Sequence, residues 1–186
     1  PGMVSARDLK LLYRADRIND NTGIYGIVGN PVMHSLSPLI HNPGFHRINY
    51  NAVYVPFLSD SIRSFLTLAE MLRLRGFSVT VPFKVDVVRF LGNITREVKQ
   101  IGSCNTVVRV PNMWKGTNTD FYGFLNPIEK EIEDGRITSA LVLGAGGAAK
   151  AIVWALKMRS VKVTILNRTV SKAEDMAKLY GVAYDS

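Results

Sequence analysis

The feature that most narrows the possible folds is a glycine-rich turn, Gly144-Ala-Gly-Gly-Ala-Ala149, between an apolar run and a helical pattern. Residues 140–143 read as an apolar strand, and 148–158 carry helical periodicity. A G-x-G-x-x-A turn at this junction reverses the chain tightly at its first glycine. Its second glycine lets the backbone approach a ligand, and its last small residue lets helix and strand pack closely. The helix start adds unpaired N–H groups and the positive end of the peptide dipole, which attract phosphate. The pattern then repeats: residues 161–166 read as a second strand, 171–180 as a second helix with Gly181 as its C-cap, and 182–184 as the opening of a third strand. This β-α-β-α-β order is the first half of a doubly wound, Rossmann-type fold. A full fold of that type has about six strands, so the expectation is that the chain stops before this domain is complete.

The second strand ends in Asn167-Arg168-Thr169, and Asn167 follows Gly144 by 23 residues. NAD sites usually place an acid near here for the ribose 2′-hydroxyl, whereas NADP sites can place an arginine for the 2′-phosphate. No acid is present; Arg168 is, with Lys172 a turn later, and a guanidinium can hold phosphate through two parallel bonds. The candidate cofactor residues are therefore Gly144, Ala145, Gly146, Gly147, Ala148, Asn167, Arg168, Thr169 and Lys172, and NADP is the favoured cofactor. A packing turn and a solvated arginine are the plainer alternatives.

Upstream, strands and helices alternate with different spacing. Residues 24–29 and 52–58 read as strands, and 61–75 as an amphipathic helix with Asp60 as its cap and Gly76 as its end. Residues 77–81 read as a buried strand, 85–91 and 94–101 as short helices, and 104–110 with 113–115 as a hairpin about Pro111-Asn112. That order predicts a mainly parallel α/β domain with the hairpin as an antiparallel edge. Residues 121–133 read as a helix bent at Pro127. The domain boundary falls at Asp134-Gly135-Arg136. The expected division is an extension at 1–22, a first domain at 23–134 and a partial nucleotide-binding domain at 135–186.

Bulk properties exclude several classes. The 186 residues are 47% hydrophobic and 20% charged, an ordinary globular composition. No apolar run nears the ~20 residues that span a bilayer, and the start shows no basic-then-apolar signal pattern. The start also lacks Met, so the N-terminus reads as cut from something longer. A single cysteine, Cys104, rules out an internal disulfide and points to the cytoplasm. The net charge of +8 is scattered rather than striped among aromatics, which disfavours nucleic acid and leaves general solubility and a small anionic ligand both open.

Three strings in the first domain are not explained by folding: residues 29–42, Val79-Thr-Val-Pro-Phe-Lys84, and the pair Gly102-Ser-Cys-Asn-Thr106 and Gly116-Thr-Asn-Thr-Asp120. Each places polar groups at or just after a strand end, where open α/β sheets bind ligands. Ser35, Ser37, Thr80, Lys84, Asn105 and Asp120 offer hydroxyls, an amide, a cation and an anion, a set that suits a small polyhydroxylated anion. Taken singly, each has an ordinary explanation: Ser37 as a cap before Pro38, Asn105 as a turn residue, a lone lysine or aspartate as solvated surface. His34 and His41, seven apart with no third ligand nearby, read as hydrogen-bonded structural residues and not as a metal pair.

Taken together, the strings resemble the shikimate dehydrogenase family. Residues 29–42 match G-x-P-x-x-H-S-x-S-P-x-x-H-N, residues 79–84 match V-T-x-P-x-K, and Asn105-Thr106, Asn118-Thr119-Asp120, Gly144 to Ala148 and Asn167-Arg168-Thr169 match later motifs in order. The resemblance implies that Ser35 and Ser37 bind a substrate carboxylate, that Thr80, Asn105 and Asp120 bind ring hydroxyls, and that Lys84 and Asp120 are the catalytic pair. The implied reaction is hydride transfer from NADPH to the ketone of 3-dehydroshikimate. A quinate or mixed quinate/shikimate dehydrogenase and a non-catalytic metabolite-sensing module of the same fold remain alternatives. Retention of Lys84, Asp120 and the phosphate turn speaks against the sensor.

Two departures stand out. Asn42-Pro43-Gly44 interrupts what should be a helix after Pro38, which predicts a kink or a restart capped by Asn42. The family also continues beyond Ser186, with later strands, a nicotinamide-side loop and a substrate-contacting glutamine. The segment from Leu11 to Gly23 resembles the joint to an upstream dehydroquinate dehydratase in bifunctional relatives; an unstructured extension explains it equally well.

Overall fold

The structure, a computed structural model, describes residues 4–185; Pro1–Met3 of the expected extension and Ser186 lie outside it. The chain divides into two compact units, Pro1–Phe83 with Thr106–Lys115, and Lys84–Asn105 with Gly116–Ser186. Compactness thus groups 84–105 and 116–134 with the nucleotide-type fold, although the sequence pattern runs on from the first strands.

The first unit begins with α1 (Ala6–Leu11), β1 (Gly23–Gly29), α2 (Ser37–Arg47), β2 (Ala52–Leu58), α3 (Ile62–Met71) and β3 (Gly76–Val79). The chain then enters the second unit through a 3₁₀ turn (Asp86–Phe90), β4 (Asn93–Ile94) and α4 (Arg96–Ile101). The hairpin of β5 (Thr106–Val110) and β6 (Met113–Thr117) belongs mostly to the first unit. α5 (Asp120–Leu125), a 3₁₀ turn (Asn126–Ile128), α6 (Glu129–Glu133), β7 (Ser139–Leu143), α7 (Gly147–Met158), β8 (Lys162–Leu166), α8 (Val170–Tyr180) and β9 (Ala183–Asp185) complete the second.

In the first unit β1 pairs in parallel with both β2 and β3, and β5 joins β3 antiparallel, as the sequence predicts. β1 is covered on both sides, which is why it reads as an unbroken apolar run. Phe57, Phe65, Phe77 and Trp114 contact in series, with ring centroids 4.9–5.4 Å apart. α3 buries Ile62, Phe65 and Ala69. Its cap is Ser61, whose hydroxyl accepts from the Ser64 N–H, and not Asp60, whose carboxylate accepts from Asn30 Nδ2 at 2.6 Å. The helix also ends earlier than Gly76: Leu72 is its C-cap, Arg73 turns left-handed at φ 52°, and Gly76 already opens β3.

The predicted restart capped by Asn42 is corrected as well. α2 runs continuously through both residues. Asn42 does not cap a restarted helix. Its fully buried amide donates to the Tyr54 carbonyl at 2.9 Å and accepts the Tyr54 N–H at 2.8 Å, acting as a strand partner for β2. The N–H that Pro43 lacks would have met the Leu39 carbonyl on an exposed face of the helix, where water can replace it.

In the second unit β7, β8 and β9 form a parallel sheet in that order, joined by α7 and α8. This is the expected β-α-β-α-β half. Its core holds Val142, Val153, Leu156, Val163, Ile165 and Met176. Each such side chain contributes about 1.5–3 kcal/mol when fully buried. The helix expected at 121–133 is divided by the 3₁₀ turn that holds Pro127, and the one expected at 85–91 is entirely 3₁₀. α4 starts at Arg96 with Thr95 as cap, because Asn93–Ile94 is a short strand. Among the described residues no helix is long and apolar enough to cross a membrane.

Candidate active site

Lys84, Asn105 and Asp120 come from three separate stretches of sequence and meet in the second unit. Lys84 Nζ lies 2.6 Å from Asp120 Oδ2, with the two side chains only 16% and 24% exposed. A half-buried ion pair stands only if its remaining polar atoms are also satisfied. On the carboxylate side they are: Asn105 Nδ2 donates to Asp120 Oδ1 at 2.7 Å and to Thr119 Oγ1 at 3.0 Å, and Asn105 Oδ1 accepts the Thr119 N–H at 2.9 Å.

Beneath this layer is a second one that the sequence reading did not single out. Asn118 is fully buried. Its Oδ1 accepts the Asp120 N–H at 2.9 Å, while its Nδ2 donates to the Ser103 carbonyl at 3.0 Å and to Ser103 Oγ at 3.1 Å. Backbone bonds from Cys104 N–H to the Lys84 carbonyl and from Asn105 N–H to the Thr117 carbonyl fix the three stretches together. Asn118 lay inside a quoted string, but nothing in a sequence separates a buried tether from a ligand contact.

The glycine turn abuts this cluster. Ser103 Oγ donates to the Gly147 carbonyl at 3.0 Å, and a Cβ on Gly147 would stand 2.8 Å from Lys84 Cβ. Gly144 sits at φ +114°, a conformation that L side chains rarely adopt, and its N–H bonds the Leu166 carbonyl at 2.7 Å. Gly146 caps α7 with no side chain bonded to the helix start, and a Cβ there would meet nothing within 4 Å. Ala145 is half-buried and Ala148 exposed on the same turn. These free N–H groups and this open approach fit a pyrophosphate. An open cleft beside the turn is lined by Leu143, Gly144, Leu166, Asn167, Arg168 and Val170. Asn167 Nδ2 donates to the Thr169 carbonyl at 2.8 Å, shaping the loop that presents Arg168. Arg168 and Lys172 are exposed, and neither makes an ion pair among the described residues. The donor set suits a dinucleotide bearing a further phosphate.

In the first unit Ser35 and Ser37 lie together, half-buried, with Ser35 Oγ 3.1 Å from Ser37 Oγ and accepting the Ser37 N–H at 3.2 Å. Thr80 follows β3, bonded through its N–H to the Val28 carbonyl. It packs so closely on Gly29 that a Cβ there would come within 2.4 Å of Thr80 Cγ2. Tyr54, hidden in the sequence as a strand residue, is buried and donates its hydroxyl to Ser78 Oγ at 2.7 Å. Burial raises its pKa, against which hydrogen bonds to Ser78 and Ser37 act. His41 is held by stacking on Tyr54, with ring centroids 4.3 Å apart, and not by the hydrogen bond the sequence suggested; burial lowers its pKa. His34 is exposed. Among the described residues no three His, Cys, Asp or Glu side chains group as metal ligands.

A parallel β-α-β-α-β sheet with a phosphate-type turn set against a lysine–aspartate pair defines a Rossmann-type α/β protein. Residues 27–107 match the family described as shikimate dehydrogenase substrate binding domain, and 128–185 match shikimate/quinate 5-dehydrogenase. A shikimate dehydrogenase (NADP⁺) of Caldanaerobacter subterraneus subsp. tengcongensis is 43% identical over 165 residues, which is 87% of this chain and 59% of that protein. The crystal structure of shikimate dehydrogenase from Aquifex aeolicus superposes with a TM-score of 0.84 at 36% identity, covering 91% of this chain and 64% of that one. The chloroplastic bifunctional 3-dehydroquinate dehydratase/shikimate dehydrogenase of Arabidopsis thaliana is 36% identical over 97% of this chain and 32% of its own length. The chain belongs to the shikimate dehydrogenase family. It spans about three fifths of the length of the Caldanaerobacter relative.

Proposed function

We propose that this chain carries the substrate-binding and catalytic part (residues 23–134) and part of the cofactor domain (135–186) of an NADP-dependent shikimate dehydrogenase, which interconverts 3-dehydroshikimate and shikimate. The observation that carries the reading is the Lys84–Asp120 ion pair, bound by Asn105 and set against Gly147 of the glycine turn.

Bound NADPH supplies the hydride. The N–H groups at the start of α7 hold its pyrophosphate, and Arg168, with Asn167, Thr169 and Lys172, reads the 2′-phosphate. Ser35 and Ser37 donate hydroxyl hydrogens to the substrate carboxylate, and Thr80 and Asn105 bind ring hydroxyls. As the ketone oxygen gains negative charge, the Lys84 ammonium stabilises it and delivers the proton. Asp120 orients that ammonium and accepts from a neighbouring hydroxyl. Ser103 and Asn118 contact only the protein and act by fixing Asp120. The sequence holds a single cysteine, Cys104, which cannot form a disulfide within the chain, and this supports a cytoplasmic setting. The bifunctional Arabidopsis relative supports reading residues 1–22 as a joint to an upstream dehydratase domain.

The test is NADPH oxidation with 3-dehydroshikimate by the protein carrying this chain, against its Lys84→Ala variant. Turnover should fall by roughly 10²–10⁴-fold with shikimate binding little changed. A near-normal rate in the variant removes Lys84 from the mechanism. No turnover by the unaltered protein favours a sensing role.

A further inference from the structure

A cavity of about 180 Å³ opens in the first unit, away from the residues discussed so far. Its wall includes Thr22, Asn51 and Ala52, at the starts of β1 and β2, whereas Ser35, Ser37 and Thr80 follow the ends of β1 and β3. The seven residues of β1 separate these two ends, about 20 Å at ~3.3 Å per residue.

The cavity gathers positive charge without a counter-charge. Arg14 and Arg17 carry that charge, and His46, Tyr13, Phe45 and Tyr50 line the wall with them. Among the described residues no carboxylate forms an ion pair with Arg14 or Arg17, although Asp16 stands between them in the sequence. His46 feels both guanidiniums: burial first, then Arg14 and Arg17, lower its pKa. Two wall residues, Arg14 at φ 49° and Asn49 at φ 52°, hold left-handed backbone, which is uncommon outside glycine. Tyr50 is anchored by Tyr25, hydroxyl to hydroxyl at 2.9 Å, and by Arg75 Nη1 at 3.3 Å, so this side of the wall is braced.

Like charges gathered at a concave, partly aromatic wall are unfavourable unless an anion sits among them. Two guanidinium forks and an imidazole offer more donors than a single carboxylate can use. A phosphate group, with three terminal oxygens and a charge near −2, matches them. The volume equals about six waters at ~30 Å³ each, enough for a phosphate and a small organic body. We propose that this cavity binds a small phosphate monoester or inorganic phosphate, with Arg14, Arg17 and His46 around the anion and Tyr13 and Phe45 beside its organic part. The site is independent of the dehydrogenase reading, since it shares no residue with the substrate and cofactor sites proposed there.

Isothermal titration of the chain with inorganic phosphate and with glycerol phosphate, at constant ionic strength in chloride, tests the proposal, with acetate and citrate as comparators. Saturable phosphate binding is expected. Arg14→Asn with Arg17→Gln (asparagine tolerates the left-handed backbone) should weaken it by about ten-fold or more, as charge-assisted contacts are lost. Arg96→Gln with Lys99→Gln removes the same charge from exposed positions on α4 and should leave affinity unchanged. His46→Gln, expected to weaken binding several-fold, carries the test if the double variant misfolds by circular dichroism. Absence of saturable phosphate binding, equal loss in both double variants, or acetate or citrate binding as tightly as phosphate would each overturn the proposal.

Discussion

Gly147→Ala probes the link between the glycine turn and Lys84. Gly147 is the first residue of α7 and does not hold left-handed backbone. Alanine is therefore allowed there and by itself favours the helix by about 0.5–1 kcal/mol. Against that stands the new methyl group, 2.8 Å from Lys84 Cβ and 3.4 Å from Lys84 Cδ. The closer contact is about 1 Å inside normal carbon–carbon separation. Lys84 Cβ is fixed to its backbone and cannot swing aside, so the turn or the Lys84 segment must move. Overpacking of this kind costs about 1–3 kcal/mol, which leaves a net destabilisation on the order of 1 kcal/mol. Catalysis should suffer far more. The Lys84–Asp120 contact is 2.6 Å, and a displacement of about 1 Å at a reacting group can cost ~10²-fold in rate. Urea denaturation alongside steady-state NADPH oxidation separates the two effects: a small fall in stability with a roughly hundred-fold fall in kcat. A variant whose kcat stays within about two-fold of the unaltered protein would refute the claim that Gly147 is glycine because Lys84 lies against it.

Three further outcomes are expected. Asn118→Ala strips partners from the buried Ser103 carbonyl and the Asp120 N–H, at about 1–3 kcal/mol each, so urea denaturation should show a loss of about 2–6 kcal/mol; a change below about 0.5 kcal/mol would contradict the tethering role. Arg168→Ala should raise the KM for NADPH by roughly 10- to 150-fold and that for NADH little, and equal weakening of both would show that Arg168 does not read the 2′-phosphate. Burial holds His41 and His46 below the ordinary histidine value of about 6.5, so the unfolded chain takes up protons first and stability should fall as pH drops below about 6.5, in a phosphate-free buffer; His41→Phe, which keeps the ring stack, should flatten part of that slope in thermal melts, and an unchanged slope would exclude His41 as a source.

Much of this organisation is legible in the sequence because short-range rules decide it. The half-Rossmann sheet follows from period and punctuation: apolar runs at β7 and β8, a glycine turn, and a glycine C-cap at Gly181 with φ 63°. The Lys84–Asp120 and Asn105–Asp120 contacts, in contrast, join residues 36 and 15 positions apart, and only the matched strings pointed to them. The misread details are those where a tertiary partner outweighs a local signal. Asn42 looked like a helix cap because asparagine favours caps, but a buried amide gains more by closing both hydrogen bonds of Tyr54 than by capping a helix that can continue without it.

The same reasoning explains why Ser103 and Asn118 went unassigned. Their chemistry is identical to that of a ligand-binding serine and asparagine, and burial alone tells them apart: both are fully enclosed, so their hydrogen bonds must end on protein. Those bonds run from Asp120 through Asn118 and Ser103 to the Gly147 carbonyl. The carboxylate that orients the Lys84 ammonium and the turn that fits a pyrophosphate are therefore fixed in one hydrogen-bonded frame. For the hydride transfer proposed above such a frame would matter, because proton donor and cofactor would have to be positioned together, and shifting either one alone would forfeit the gain from positioning. Substitutions within the frame should consequently be non-additive, with Gly147→Ala costing less in an Asn118→Ala background than in the unaltered protein. Additive losses in that double-mutant cycle would show that the turn and the carboxylate are held independently.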